Sequence, residues 1–173
     1  MYPPAEVWWR PIDRLERSWV IIAFVWALVL TAMMPLWFVV GKQNVPVTTY
    51  RTTPERFRET VEAFAAEHQV GERAGIPVVA PPPGGDAYVY AQRFSFYPIL
   101  QLEKGEEYRI HVSSLDVQHG FSIQPVNLNF QIVPTYEYVI TLTPTESGEF
   151  QVVCNEYCGL GHHVMTGTIL VNE

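Results

Sequence analysis

The sequence predicts a mainly β protein: a Greek-key β-sandwich carried behind one N-terminal transmembrane helix. Two features of the chain point there. One uninterrupted charge-free run lies near the N-terminus, from Ser18 to Gly41. From Ala87 onward, apolar residues recur with a period of two and are separated by turn signals. The chain has 173 residues, of which 48% are hydrophobic and 17% charged, which fits one globular domain with an appendage and excludes a disordered chain. Two cysteines are too few for a disulfide scaffold. A net charge of −7 disfavours a nucleic-acid partner.

The apolar run needs only one helix to cross the hydrocarbon, which takes roughly 20 residues. Trp19 and Trp37 stand near its ends, where amphipathic rings favour the interface. Pro35 is tolerated in a membrane helix. A cleaved signal peptide has a shorter apolar core and a small-x-small cleavage site, which Gly41-Lys42-Gln43-Asn44 does not offer. Arg10, Arg14 and Arg17 precede the run closely, so the positive-inside rule places residues 1–17 in the cytoplasm and the C-terminal part on the periplasmic side. Trp8 and Trp9 read as an interfacial lead-in or as a partner contact. Charge divides the chain likewise: residues 1–42 carry +1 and residues 43–173 carry −8.

Residues 42–86 read as a connecting segment. Thr52-Thr53-Pro54-Glu55 is a helix start with a Thr cap, an early Pro and a capping-box Glu. Phe57, Val61 and Phe64 give it an apolar stripe, and Gly71 is the expected stop. Between Gly71 and Asp86, the three consecutive prolines Pro81, Pro82 and Pro83 and the two glycines Gly84 and Gly85 read as a linker. The domain is expected over residues 87–173. Its strands are marked by Tyr88/Tyr90, Tyr108/Ile110/Val112, Tyr138/Ile140/Leu142 and Phe150/Val152, with Cys154 in phase. Periodicity alone does not separate an immunoglobulin-like sandwich from a cupredoxin.

The chemistry lies in Cys154-Asn155-Glu156-Tyr157-Cys158-Gly159-Leu160-Gly161-His162-His163-Val164-Met165, with His119 upstream. Two thiols, imidazoles and a thioether form a soft donor set suited to copper and less well to zinc. A single-copper electron-transfer site needs one Cys, two His and a weak axial Met, so one thiolate is in excess. Cys154 and Cys158 can instead bridge two coppers, with His119 and His162 capping one each. Met165 is then a weak ligand to one copper and a loop carbonyl, most reasonably that of Glu156, serves the other. A Cys154–Cys158 disulfide leaves Met165 and His162 without a role, and zinc has no use for Met165. His68, His111 and His163 read as bystanders, His111 on the surface.

This string, with His119, resembles the binuclear CuA site of cytochrome c oxidase subunit II, in its short single-anchor B-family type. The resemblance implies a cupredoxin fold outside the membrane. It also implies electrons received from cytochrome c and passed to haem in subunit I for O₂ reduction. The implied metal ligands are His119, Cys154, Glu156 through its carbonyl, Cys158, His162 and Met165. It places Phe94, in Arg93-Phe94-Ser95-Phe96-Tyr97-Pro98, at the electron-entry position, with core packing as the other reading. In larger relatives the side chain at the Glu156 position ligates magnesium or manganese at the subunit I interface, so Glu156 is a candidate for such an ion. A nitric oxide reductase carrying the same copper module, a membrane-tethered copper carrier and a disulfide-stapled assembly domain are the alternatives. Residues 84–173 carry ten acids against three bases, a field that would steer a basic donor. Phe121, Val126, Leu128, Leu160 and Val164 are expected to rim the copper loop and offer an apolar contact instead.

Overall fold

A computed structural model describes residues 11–41, 48–126 and 128–173. The Trp8–Trp9 lead-in and Lys42 lie outside the described residues. The chain forms two compact units, residues 1–43 and 44–173.

The first unit is built on one helix, α1 (Arg14–Val40), which starts four residues ahead of the charge-free run. Asp13 caps it by accepting a hydrogen bond from the Glu16 amide at 2.7 Å, and Glu16 adds negative charge in the first turn. At 1.5 Å per residue its 27 residues are long enough for a bilayer core, and its composition is apolar enough to cross one.

The second unit is two packed mixed sheets. In chain order its strands are β1 (Thr48–Arg51), β2 (Gln69–Arg73), β3 (Ile76–Val79), β4 (Asp86–Gln92), β5 (Ser95–Tyr97), β6 (Ile99–Glu103), β7 (Tyr108–Ser114), β8 (His119–Gln124), β9 (Leu128–Ile132), β10 (Tyr136–Leu142), β11 (Gly148–Val153) and β12 (Thr166–Asn172). The five-stranded sheet has the order β1-β10-β7-β4-β5, and the seven-stranded sheet β2-β3-β6-β12-β11-β8-β9. The core between them comes from alternate positions: Tyr108, Ile110 and Val112 of β7 are fully buried, and Phe121, Ile123, Ile169 and Leu100 meet them from the other sheet. Tyr88 and Tyr90 do alternate, but they point to the opposite face of β4; Ala87, Val89 and Ala91 face the core.

That opposite face is covered by α2 (Pro54–His68), through Phe57, Val61 and Phe64. Phe64 meets the Tyr88 ring edge-on at 5.4 Å. The helix cap differs from the expected box. Thr53, not Thr52, is the cap and accepts from the Arg56 amide, which places Glu55 one position too early to reach back. Gly71 does not stop the helix, which ends at His68; Gly71 lies within β2. The Pro/Gly-rich stretch is no plain linker either. β2 and β3 pair there as a hairpin whose turn, Ala74-Gly75, takes positive φ, and β3 joins β6 in the main sheet.

His111 is not a surface residue. Its side chain is 12% exposed, stacks on Tyr88 at 4.5 Å, and is held between Glu137 (2.5 Å) and Asp86 (3.1 Å). Burial tends to raise the Asp86 carboxyl, but hydrogen bonds from Arg109 and His111 outweigh it and hold the group below its ordinary value.

Candidate metal centre

The ligand loop joins β11 to β12. Six paired positions, ending at Val153–Thr166, clamp its base, and the Cys154 amide donates to the Met165 carbonyl at 3.2 Å. The loop closes on a short 3₁₀ turn, His162–Val164, in which the Met165 amide returns to the His162 carbonyl. β8 runs beside β11 in the same sheet and brings His119 to this end of the sandwich. A strand register thus brings together donors 35 residues apart in sequence.

The two thiols are free and buried, with sulfurs 3.9 Å apart. Each has its own imidazole. His119 Nδ1 lies 3.8 Å from Cys154 Sγ, and His162 Nδ1 lies 3.7 Å from Cys158 Sγ. The Glu156 carbonyl is 3.2 Å from Cys154 Sγ, and Met165 Sδ is 3.6 Å from Cys158 Sγ. All six residues singled out in the sequence therefore converge. His119 is fully buried, and Met165, Cys154 and Cys158 are at most 4% exposed. His162 is half-buried and makes the outward edge of the cluster, and His163 beside it is exposed.

One polar residue here was not read from the sequence. Asp116, on the β7–β8 connection, accepts hydrogen bonds at Oδ1 from His119 Nε2 (2.8 Å) and the Val117 amide (2.7 Å), and at Oδ2 from the Arg93 amide (2.9 Å). Burial tends to raise its carboxyl, yet His119 and the two amides outweigh that and keep it below its ordinary value. An ionised carboxylate only accepts, so His119 donates from Nε2 and turns Nδ1 towards the thiols. This carboxylate–histidine pairing is common behind metal-bound imidazoles. Its sequence signal was slight, an Asp three residues before a candidate ligand.

Phe94 is 36% exposed and its ring lies over the ligand loop: a Cβ at Gly161 would meet it at 2.5 Å and one at Gly159 at 3.3 Å. The Arg93 guanidinium Nε donates to the Cys158 carbonyl at 3.0 Å. The rim differs from the expected one. Phe121 and Leu128 are core residues, and Val126 lies beyond the far end of β8, lining an apolar cavity of about 230 Å³ with Ile123, Phe150 and Ile169. Tyr157 (76% exposed), Leu160 (91%), Val164 (62%) and Phe94 make the apolar surface at the ligand loop.

Burial, and then the neighbouring Cys154, push the Cys158 thiol up to about 11. A thiol ligates as the thiolate, so a metal bound through Cys158 would displace its proton. With the thiol pushed up to about 11, that proton alone would make apparent affinity rise by about tenfold per pH unit near neutrality. Competition titrations between pH 6 and 8 should show at least this slope, and a flat profile would exclude Cys158 as a ligand.

No family model matches the chain. Over 87 residues it is 38% identical to two cytochrome c oxidase subunit 2 proteins of Thermus thermophilus, a match covering 50% of this chain and 64% and 52% of theirs. Over that half, the chain is similar to cytochrome c oxidase subunit II. A probable cytochrome c oxidase subunit 2 of Streptomyces coelicolor is 32% identical over 74 residues, 43% of this chain and 23% of its own length. The chain spans less than two thirds of the length of these relatives. Among solved structures, a heme-copper terminal oxidase dimer has a chain that matches 92% of this one over its full length, with a TM-score of 0.60 and 20% identity. Rusticyanin from Thiobacillus ferrooxidans matches over 74% of this chain and 99% of its own, with a TM-score of 0.51 and 17% identity. At such identities the likeness is one of fold, and the fold is cupredoxin-like.

Proposed function

We propose that the chain is the electron-entry subunit of a membrane-bound terminal oxidase. It would accept electrons from cytochrome c at a binuclear CuA centre and pass them to haem in subunit I. One observation carries the reading: each of two adjacent thiols faces its own imidazole Nδ1, at 3.8 and 3.7 Å. A mononuclear site would gather both imidazoles around one thiolate. Here each sulfur has a histidine beside it, with His119 also within 4.8 Å of Cys158, an arrangement that supports a two-metal cluster with bridging thiolates.

His119, Cys154, the Glu156 carbonyl, Cys158, His162 and Met165 would hold the copper pair, and the donor set fits it in softness and number. When bound, the pair supplies a one-electron couple whose charge change is spread over two metals. The protein's own part is to keep that change cheap. The buried thiols, thioether and His119 exclude water, and the clamped loop limits ligand movement. Half-buried His162, with Phe94 packed over the neighbouring Gly161, would offer a route between cluster and surface. α1 would anchor the domain, with the N-terminus cytoplasmic and the copper loop on the periplasmic side. The Glu156 carboxylate accepts from Gln118 at 3.2 Å, and among the described residues no acidic cluster surrounds it. A magnesium or manganese ion there would need its other donors from subunit I.

The copper count tests this reading. The full chain, purified in detergent and loaded with copper, is expected to hold two coppers, and its half-oxidised form should show spin coupling to two copper nuclei. One copper per chain with splitting from one nucleus would overturn it. Docking of the donor is a separate expectation. The surface at the ligand loop carries Tyr157, Leu160, Val164 and Phe94, while Glu137 and Glu149 are engaged by His111 and Arg73. Apolar contact is therefore expected to dominate, with the net negative charge giving a measurable but modest decline of association rate with salt. Electrostatic steering is already damped at about 0.15 M salt, where the Debye length is roughly 8 Å. Stopped-flow reduction by cytochrome c across a salt series measures this, and a steep fall would put the acidic field in control.

A further inference from the structure

We propose that Asp116 and Arg93 are positioning residues that bias the copper centre in opposite senses, Asp116 through His119 and Arg93 through the Cys158 carbonyl. This rests on the copper-centre reading above and goes beyond its ligand set. The two residues are joined to each other and to opposite halves of the cluster. The Arg93 amide donates to Asp116 Oδ2, and Asp116 Oδ1 receives His119 Nε2. On the other side the Arg93 guanidinium Nε donates to the Cys158 carbonyl. One hydrogen-bonded path thus runs from His119, which faces Cys154, to the backbone of Cys158 without passing through any ligand atom. It fixes the tip of the β4–β5 hairpin, and with it Phe94, against the ligand loop.

The charges along that path differ. A carboxylate on the Nε2 proton makes the imidazole a stronger donor at Nδ1. Electron donation favours the oxidised, more positive cluster, so Asp116 lowers the midpoint potential. A guanidinium held on the Cys158 carbonyl places positive charge on the other side and disfavours oxidation, so Arg93 raises it. Exposure ranks the two effects. The Asp116 side chain is 31% exposed and its partner His119 is fully buried, whereas Arg93 is exposed. Solvent and salt screen the exposed charge more, so Asp116 has the larger effect.

The test uses the full chain in detergent, loaded with copper, as wild type, Asp116→Asn, Asp116→Glu, Arg93→Gln and Arg93→Lys. The readouts are copper retention against a chelator, midpoint potential and copper hyperfine pattern. Asp116→Asn is expected to lower copper affinity about 10- to 100-fold and to raise the potential. Arg93→Gln is expected to lower the potential by less, and the charge-keeping variants to move back towards wild type. Shifts of the same sign in Asp116→Asn and Arg93→Gln, or an Asp116→Asn centre identical to wild type, would overturn the proposal. If Asp116→Asn fails to fold by circular dichroism, the sign of the shift in Arg93→Gln decides alone, because that side chain is exposed. Wild-type protein holding fewer than two coppers would overturn this proposal and the copper-centre reading together. Two coppers in wild type with unchanged variants overturns the positioning roles only.

Discussion

Cys158→Ser is expected to abolish the copper pair, while Met165→Leu retains both coppers and changes the midpoint potential. Cys158 Sγ stands at the middle of the cluster, 3.9 Å from Cys154 Sγ, 3.7 Å from His162 Nδ1 and 3.6 Å from Met165 Sδ. A serine hydroxyl there is a hard, short donor poorly matched to bridging two copper ions in a soft site, and the remaining donors no longer match a two-metal set. Met165 offers its thioether 3.6 Å from Cys158 Sγ, and a thioether as a weak axial ligand would tune potential more than it holds metal. Leucine is close to methionine in volume, and such swaps usually cost less than about 1.5 kcal/mol even in a packed site, so the fold should survive. Metal analysis and the mixed-valence absorption of the two variants measure both effects. A mixed-valence spectrum surviving in Cys158→Ser would refute the bridging role.

Gly120→Ala is expected to destabilise the fold and weaken copper binding together. Gly120 follows His119 on β8, and a Cβ there would lie 1.9 Å from Asn155 Oδ1 and 2.7 Å from the Asn155 amide nitrogen. The side-chain oxygen could swing away, at the expense of its partner group's 2.8 Å hydrogen bond to Asn129 on β9. The amide nitrogen cannot, because Asn155 sits directly after Cys154 in the clamped loop. Overpacking of this kind typically costs about 1–3 kcal/mol. The strain falls between the strand bearing His119 and the loop bearing Cys154, so copper affinity should fall together with thermal stability. Thermal melts with and without copper read both. A variant that melts like wild type would show that the strand and loop separate more easily than their packing implies.

The sequence and the structure agree most closely where chemistry is concentrated. Cys154, Cys158, His162 and Met165 lie within twelve residues, so their grouping needs no tertiary knowledge. His119 was legible only because its residue type completes a donor set; what brings it there is the β8–β11 pairing, which no local pattern encodes. Asp116 carries no distinguishing sequence signal, because a single carboxylate three residues from a histidine is common on any surface. The alternation of Tyr88 and Tyr90 gave the strand correctly but not the face, since an aromatic pair suits either the core or the underside of a covering helix. His111 was misplaced for the same reason: its face of the sheet is covered by α2, and a face open in sequence terms is closed by a helix packed on it. The hairpin of β2 and β3 was masked by neighbouring prolines and glycines, which mark a turn as readily as a linker.

The clamp at the base of the ligand loop bears on how the chain tolerates change in length. Closing a flexible loop costs free energy that grows only as the logarithm of its length, so each doubling adds about 0.6 kcal/mol. The β11–β12 ladder meets that cost for the segment between Val153 and Thr166 whether or not metal is present. Insertions between Leu160 and Gly161 would therefore be cheap for the fold and ruinous for ligation, because they move His162 and Met165 out of step with Cys158. Natural variation in length should consequently collect in the β6–β7 turn at Lys104-Gly105 and in the β10–β11 connection at Pro144, where backbone leaves the sheets without carrying a ligand, and be absent between the two cysteines.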